Sequence, residues 1–360
     1  MTGSHRARLG HDDAVRSLAR YLTVLVATML LSFALVWAWI AFVPLAYLDP
    51  EYPAWLAKQQ MLARCDLGDL LIVGDSRAAV DVIPAALPVP ATNLAVGGGS
   101  PIEAYVAVAR ALHCPSPPHR VVVSFDAAHF TEPDLFWERS VRFGFIDRHD
   151  LSDLRRISQQ LSDPTIYELR SNGLSPRLRS ALYTLRFPSL YFNSLAKGGV
   201  FLRWSRNRQA LADTIATRGQ YYFGTEQGSN VVSIEGHMRV FAPLPVLDHY
   251  FDRMLALLAA RGIEVDFVAM PMNDATRQAV RADVREAFAA HLAAYAARYP
   301  DFHVIGDAMP HWPDRWFGDG YSHLNPDGAR KFSAALATWL STTAGSAPEH
   351  AERSAERMIQ

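Results

Sequence analysis

Residues 21–48 contain no charged side chain, and this stretch limits what the chain can fold into more than any other feature. As an α-helix, residues 21–42 alone would be about 30 Å long, which is the thickness of the hydrocarbon core of a bilayer. Trp37 and Trp39 lie toward the outer end of the stretch and Tyr47 just beyond it, as aromatic residues at a membrane interface often do. The sequence therefore predicts a transmembrane anchor over residues 21–48.

The charges on either side of this anchor predict its orientation. Asp49 and Glu51 follow it directly, whereas only arginines flank its start closely. The positive-inside rule then makes residues 1–20 a cytoplasmic tail and places everything after the anchor outside the cytoplasm. A cleaved signal peptide is the alternative, but its apolar core would normally span only about 7–15 residues. The flanking arginines are Arg6, Arg8, Arg16 and Arg20.

The rest of the chain alternates strand-like and helix-like segments, which predicts an α/β fold with a three-layer, doubly wound parallel sheet. The crevice of such a sheet lies outside the carboxyl ends of its strands. The predicted strands are 70–73, 91–94, 121–125, 265–269 and 302–305. The predicted helices are 101–112, 245–261, 276–298 and 326–340.

The strand and helix patterns also divide the chain into segments. Residues 49–66 form a connector to a domain that spans residues 67–342. Within it, residues 130–245 are rich in arginine and aromatic residues and are too long for a structureless loop, so they predict a helical insertion. The polar residues 343–360 predict a flexible tail.

The bulk composition excludes some partners. The formal net charge is −1, and no long basic run occurs, so there is no electrostatic case for binding nucleic acid. No group of histidines and cysteines has the spacing of metal ligands, and no nucleotide-binding motif occurs. The sequence therefore predicts neither a metal nor a cofactor.

The two cysteines each lie shortly before a predicted strand. Cys65 precedes strand 70–73 and Cys114 precedes strand 121–125. If these strands are neighbours in a parallel sheet, both cysteines lie at its amino-terminal edge and can form a disulfide in an oxidising compartment. Two unrelated buried thiols are the alternative.

The segment LLIVGDSRA, residues 70–78, ends an apolar strand at Gly-Asp-Ser. This order places Ser76 at the carboxyl end of a core strand, beside the predicted crevice. A serine there can cap the following helix, or it can be a nucleophile if a base lies within reach.

Two further segments are predicted to reach the same edge of the sheet. His323 lies between the last strand and the last helix, where it is a candidate general base, and Asn325 or Asp327 can cap that helix. The segment NLAVGGGS, residues 93–100, follows the second strand, and the backbone N–H groups of a glycine run can face an oxyanion. A flexible turn is the alternative for the glycine run.

These three segments, in this order, resemble the SGNH/GDSL hydrolase superfamily. The resemblance implies a flavodoxin-like sheet and a catalytic serine, histidine and aspartate. By the resemblance, Ser76 is the nucleophile, His323 is the base and Asp319 orients the imidazole ring. Gly98 and the amide of Ser76 would be the donors of an oxyanion hole.

The resemblance covers residues 67–130 and 245–342. Within these residues, the chain lacks one feature of the family. The third block of the family carries an asparagine after the third strand, whereas this chain has SFDAAHF there, with Asp126 and His129 as the polar residues. Asn273, which follows the fourth strand, is predicted to supply an amide to the oxyanion hole from a different position.

A second departure concerns the aspartate that pairs with the base. The family usually places it three residues before the histidine, where this chain has Gly320, whereas Asp319 lies four residues before His323. We expect Asp319, rather than Asp314 or Asp327, to be the partner. Further candidates for binding substrate are Arg77, Asp126 and His129.

A membrane-anchored chain with this pattern is similar to extracytoplasmic proteins of polysaccharide O-acylation systems, such as those of alginate acetylation, teichoic acid D-alanylation and cellulose operons. The resemblance implies a protein of the bacterial inner membrane that transfers an acyl group, most simply acetyl, to an envelope or exported polysaccharide in the periplasm. Because a periplasmic domain has no access to cytoplasmic acyl-coenzyme A, a membrane-bound O-acyltransferase or a polysaccharide synthase complex would have to deliver the acyl group.

The helical insertion is a candidate for holding the glycan, since aromatic rings can stack on sugar faces. A packed helical cap is the alternative. The rings considered are Trp137, Tyr191, Trp204 and Tyr221. Two other functions also remain open from sequence: a carbohydrate esterase that uses the same residues with water as acceptor, and a non-catalytic partner of a membrane acyltransferase or polysaccharide synthase.

Overall fold

The structure, a computed structural model, describes residues 3–46, 50–133, 135–168, 175–186 and 200–343. Tyr47, Asp49 and Tyr191 lie outside these residues, so the roles predicted for them have no structural description. The predicted tail also lies outside them, except for Thr343, which ends the last helix.

The N-terminal helix α1 runs from Gly3 to Phe42. Its segment Val15–Trp39 is 25 residues long and apolar enough to cross a membrane, and none of its most apolar window is buried. The helix begins well before the predicted anchor because residues 3–20 contain no proline to interrupt its hydrogen bonds, and it ends two residues before Pro44. A helix this apolar and this exposed is suited to a lipid environment.

The centre of the domain is a parallel sheet of five strands in the order β2-β1-β3-β4-β6. The strand bounds agree with the predicted ones within one residue at every end. The strand order is that of a doubly wound sheet with its switch point between β1 and β3. The strands are β1 (Leu70–Gly74), β2 (Ala91–Asn93), β3 (Arg120–Ser124), β4 (Glu264–Val268) and β6 (Phe302–Ile305). A second, two-stranded sheet pairs β5 (Met272–Asn273) with β7 (His311–Trp312).

Helices lie on both faces of the five-stranded sheet. Alternate residues of β1 point to opposite sides: Leu71 and Val73 belong to one hydrophobic cluster, and Leu70 and Ile72 belong to the other. The first cluster includes residues of α2, α4, α9 and α11, and the second includes residues of α3 and α12, so the predicted three layers are confirmed. The helices are α2 (Tyr52–Arg64), α3 (Ser76–Asp81), α4 (Pro101–Ala111), α5 (Arg148–Gln160), α6 (Thr165–Glu168), α7 (Pro176–Thr184), α8 (Val200–Ala216), α9 (Pro245–Ala259), α10 (Asp274–Ala279), α11 (Ala282–Arg298) and α12 (Pro326–Thr343).

The described part of the insertion is helical and contacts the end of α1. Its helix α8 packs on α2, and Trp204 packs with Val36 and Val43 around Ala46. The Trp37 indole donates a hydrogen bond to the carbonyl of Leu185 at 2.9 Å. These contacts hold the C-terminal end of the apolar helix against the domain.

Cys65 and Cys114 form a disulfide, as predicted, with their Cα atoms 5.5 Å apart. Strands β1 and β3 are direct neighbours, with Leu70 opposite Arg120. Since each cysteine precedes one of these strands, both reach the amino-terminal edge of the sheet. The crosslink therefore joins α2 to the end of α4 on the side away from the crevice.

Replacing Cys65 and Cys114 by serine together should lower the free energy of unfolding by about 4 kcal/mol, because the crosslink closes a loop with a sequence separation of 49 residues. Urea denaturation of the oxidised protein and of the double variant would measure the difference. Wild-type protein that has been reduced before denaturation is the matched control and should lose the same stability. Two thiols that alkylate freely in native, unreduced protein would contradict the pairing.

Candidate active site

The turn after β1 brings Ser76 to the carboxyl edge of the sheet. Gly74 has φ of +151°, and a Cβ at this position would lie only 2.0 Å from the Ser124 carbonyl oxygen. The close approach of β1 to β3 therefore requires glycine at position 74. The Asp75 carboxylate caps α3, accepting hydrogen bonds from the backbone N–H groups of Arg77 at 2.9 Å and Ala78 at 3.4 Å. Ser76 is therefore not the cap, and its hydroxyl is left for another partner.

That partner is His323. The Ser76 Oγ lies 2.8 Å from Nε2 of His323, and Nδ1 of the same ring lies 2.5 Å from Oδ2 of Asp319. A proton on Nδ1, donated to the carboxylate, leaves Nε2 free to accept the hydroxyl proton. The three side chains thus form one chain of hydrogen bonds across segments that are 247 residues apart in sequence.

Asp319 is the partner of His323, as predicted, although it lies one residue further from the histidine than the family pattern has it. Its Oδ1 accepts the backbone N–H of Tyr321 at 2.8 Å and that of His323 at 3.3 Å, so the loop folds back over the carboxylate. Burial raises the pKa of Asp319, but the hydrogen bond and charge of His323 outweigh this and lower it overall. Asp314 instead accepts the Asp274 N–H at 3.0 Å.

Phe223 covers the His323 ring and was not identified from sequence. The two rings stack with centroids 4.7 Å apart and planes at 28°. The neighbouring Gly224 packs so closely on Gly318 that a Cβ would lie 2.2 Å from the Gly318 carbonyl oxygen. The sequence signal that could have pointed to it is the aromatic run YYFG at residues 221–224, within the insertion.

The glycine loop after β2 packs against Gly74, two residues before Ser76. The Val96 N–H donates to the Gly74 carbonyl at 3.1 Å, and a Cβ on Gly99 would lie 2.7 Å from the same oxygen. Gly98 has φ of +72°, in the left-handed region that favours glycine. Within the described part of the chain, the backbone N–H groups of Gly98 and Ser76 have no hydrogen-bond partner. They are the donors that the resemblance assigns to an oxyanion hole.

A buried lysine supports the start of this loop. Lys58 is fully buried in α2, donates a hydrogen bond to the carbonyl of Ala95, and lies 5.2 Å from the centroid of the Tyr221 ring. Burial lowers the pKa of Lys58 well below its usual value. The Asn93 side chain also fixes the loop, because it accepts the Ala95 N–H and donates to the Ala78 carbonyl of α3.

The residues predicted to bind substrate form a buried ion network instead. Arg77 is 3% exposed and pairs with Glu235 and, at 3.4 Å, with Asp126. The Nδ1 of His129 lies 2.7 Å from Asp126 and 3.4 Å from Asp75. Burial lowers the pKa of His129, but the charges of Asp126 and Asp75 raise it overall to about 9, so the ring is charged at neutral pH. The prediction is corrected for Arg77, since its guanidinium is enclosed by carboxylates.

The same cluster includes a geometric candidate for a metal site. One ligating atom each from Asp75, Asp126 and His129 lies within 4.8 Å of the others. His129 would have to release its proton to bind an ion, and both carboxylates already accept hydrogen bonds from the backbone. The three side chains are therefore better explained as members of the ion network than as ligands of a metal ion.

The structure also corrects the prediction for Asn273. Its side-chain amide donates one hydrogen bond to the carbonyl of Ser229 and one to that of Val231, both at 2.9 Å, and its oxygen accepts the N–H of Thr276. Both amide hydrogens are used within the fold, so Asn273 has none to offer an oxyanion.

Three of the aromatic rings predicted to stack on a glycan lie within the described residues, and all three are engaged in packing. Trp137 is 4% exposed and its indole donates to the Ile166 carbonyl, while Trp204 packs at the end of α1. Tyr221 packs its ring edge-on against Phe223. The ring that does face solvent beside His323 is Tyr321, which is 74% exposed.

A scan of known protein families, a search of curated proteins and a search of solved structures each found no match to this chain.

The division of roles between Asp75 and Ser76 makes a prediction about stability. Asp75→Ala should lower the free energy of unfolding by about 2 kcal/mol, because it removes a helix cap and leaves the Asp126 N–H without its acceptor. Ser76→Ala should change it by less than about 0.5 kcal/mol, and Asp75→Asn should keep most of the cap. Urea denaturation of the three variants would measure this. Equal losses for Ser76→Ala and Asp75→Ala would show that the serine, too, is structural.

Proposed function

We propose that this chain is a membrane-anchored serine acyltransferase of the SGNH type, which acylates an envelope or exported polysaccharide in the periplasm. One observation carries the proposal: Ser76, His323 and Asp319 form a continuous hydrogen-bonded chain at the carboxyl edge of the sheet. A helix cap needs no such partners, and here Asp75 already caps the helix.

The geometry supports a two-step acyl transfer. Ser76 Oγ attacks the carbonyl carbon of the acyl donor while His323 Nε2 takes its proton, and the Asp319 carboxylate stabilises the imidazolium. The N–H groups of Gly98 and Ser76 donate hydrogen bonds to the tetrahedral oxyanion. The intermediate collapses to an acyl-serine, and His323 returns the proton to the leaving group.

The second step runs in the reverse sense with a different alcohol. A hydroxyl of the polysaccharide gives its proton to His323 and attacks the acyl-serine, which releases Ser76 and the acylated sugar. The imidazolium of His323 then returns this proton to Ser76 Oγ as the acyl group leaves the serine, so Ser76 and His323 end the cycle in their starting protonation states. Water in place of the sugar would make the same site an esterase.

The position of the site supports delivery of the acyl group by a membrane protein. Residue 51 lies only nine residues beyond the end of α1, and the Glu51 side chain contacts the glycine loop. A domain outside the cytoplasm has no access to acyl-coenzyme A. A membrane-bound O-acyltransferase or a polysaccharide synthase complex, in contact with the apolar helix, is the partner that this arrangement favours.

The resemblance to SGNH proteins adds support from the order of the segments. Asp75 and Ser76 follow β1, the glycine loop follows β2, and His323 lies shortly before α12, in a fold whose parallel sheet has the order β2-β1-β3-β4-β6. The asparagine of the family's third block has no counterpart, since Asp126 stands there and contacts Arg77 and His129. We therefore propose an oxyanion hole with two backbone donors.

Ser76→Ala should abolish reaction with a serine-directed fluorophosphonate probe and acylation of the polysaccharide in cells. Asp319→Asn should slow both by on the order of 10³- to 10⁴-fold, because the imidazole loses the carboxylate that sets its tautomer. Asp327→Asn is the matched control: it removes an exposed carboxylate of the following helix, whose ion-pair partner among the described residues is Arg330, and it should keep full activity. Intact-mass analysis and acyl analysis of the glycan are the measurements.

The same experiment separates the alternative functions. Release of free acid with no acylated glycan, abolished by Ser76→Ala, would identify an esterase. Full glycan acylation by Ser76→Ala would overturn catalysis and leave a non-catalytic partner of a membrane enzyme.

The proposed topology makes a separate prediction. Reporters fused after Ile83 should be active with alkaline phosphatase and inactive with a fluorescent protein that folds only in the cytoplasm, because arginines lie just before the uncharged residues 21–48 and acidic residues follow them. Fusion of the same reporters to a soluble cytoplasmic protein is the control. The reverse pattern, or a mature N-terminus beginning after residue 40, would contradict an uncleaved anchor with its domain outside.

A further inference from the structure

The glycine loop is held by an ion pair that lies outside the sequence motifs. Arg139 donates from Nη1 to the carbonyl oxygen of Gly97 at 3.1 Å, and its Nη2 lies 2.7 Å from Oε1 of Glu51. Each of the two charged side chains is 20% exposed. Arg139 belongs to a short π-helix, Phe136–Val141, and Glu51 immediately precedes α2, so two distant segments meet at one peptide group.

The contact leaves no space around Gly97. A Cβ at this residue would lie 2.7 Å from Oε2 of Glu51, 3.0 Å from Nη1 of Arg139 and 3.1 Å from Cζ of Phe223. The loop is therefore enclosed on this side by the ion pair and by the ring that stacks on His323. Leu135 packs against Gly98 in the same way, since a Cβ there would lie 2.8 Å from Leu135 Cδ1.

The carbonyl that Arg139 binds and the N–H of Gly98 belong to the same peptide group. The peptide is trans, so the two bonds point in opposite directions in one plane. Fixing the oxygen of Gly97 therefore fixes the direction of the Gly98 N–H. Without such a contact, a run of three glycines can rotate this peptide at little steric cost. A cation on the carbonyl also polarises the peptide and strengthens the N–H as a donor.

We infer that Arg139, held by Glu51, is a positioning residue that aims and polarises the Gly98 N–H toward the oxyanion formed at Ser76. The inference rests on the proposed function and extends it to two residues that the SGNH resemblance does not include. It also makes the connector after α1 part of the site, because Glu51 comes from that connector.

The test compares Arg139→Gln, Arg139→Lys and Glu51→Gln with wild type in the purified, full-length protein. Second-order labelling of Ser76 by a fluorophosphonate and hydrolysis of p-nitrophenyl acetate are measured against pH, and thermal unfolding is recorded for each variant. Arg139→Gln should lower the labelling rate and kcat by about 10- to 100-fold, with KM within about twofold and the pH midpoint unchanged, because only the oxyanion donor is affected. Arg139→Lys should recover part of this loss, and Glu51→Gln should lose about fivefold.

Arg110→Gln is the matched control. Arg110 also bridges a backbone carbonyl and a carboxylate, donating to Phe145 at 2.8 Å and to Asp150 at 2.6 Å, but it lies at the far end of α4 from the glycine loop. It should lose similar thermal stability and keep wild-type rates.

The outcomes separate the two hypotheses. Folded wild-type protein that does not react at Ser76 overturns the proposed function and, with it, this inference. Wild-type reaction with equal rates in Arg139→Gln overturns the inference alone. If Arg139→Gln does not fold, Arg139→Lys and Glu51→Gln decide: slower rates at wild-type KM support the positioning role, and unchanged rates in both overturn it.

Discussion

The close approach of β1 to β3 is the constraint on which the rest of the structure depends. Gly74 allows it, because any larger residue would place its Cβ against the Ser124 carbonyl. At one end of the strand pair, the approach brings Cys65 and Cys114 within reach of each other. The other end of this strand pair lies at the switch point of the sheet, where the segments that follow β1, β2 and β3 come together.

The polar groups at this edge divide into those that support the site and those left free to react. Asp75 caps α3 and also accepts the N–H of Asp126, while Arg77 pairs with Asp126 and Glu235 in the interior. Burying so many charges is costly unless each is paired, so the loss of any one would leave an uncompensated charge. Ser76 stands apart from this network, since its hydroxyl contacts His323.

A series of helix contacts connects the end of the apolar helix to the glycine loop. The insertion holds the end of α1 through Trp37 and Trp204, and α8 of the insertion packs on α2. From α2 and the residue before it, Lys58 and Glu51 reach the glycine loop. Helices α8 and α2 therefore connect the end of α1 to the glycine loop.

The sequence by itself determined the α/β alternation and the bounds of the five strands, because apolar runs of strand length alternate with segments of helical period. It made the disulfide a prediction by placing each cysteine shortly before a strand, and it predicted the roles of Ser76, His323 and Asp319 only through the resemblance of their segments to the SGNH family. Only the tertiary structure decided which polar groups face the site. Arg77 and Asn273 have the right chemistry, but they are enclosed by partners such as Glu235 and Ser229 from the end of the insertion. Arg139, Glu51 and Phe223 were missed for the same physical reason: they meet the site from segments far apart in sequence, and no local pattern encodes such a contact.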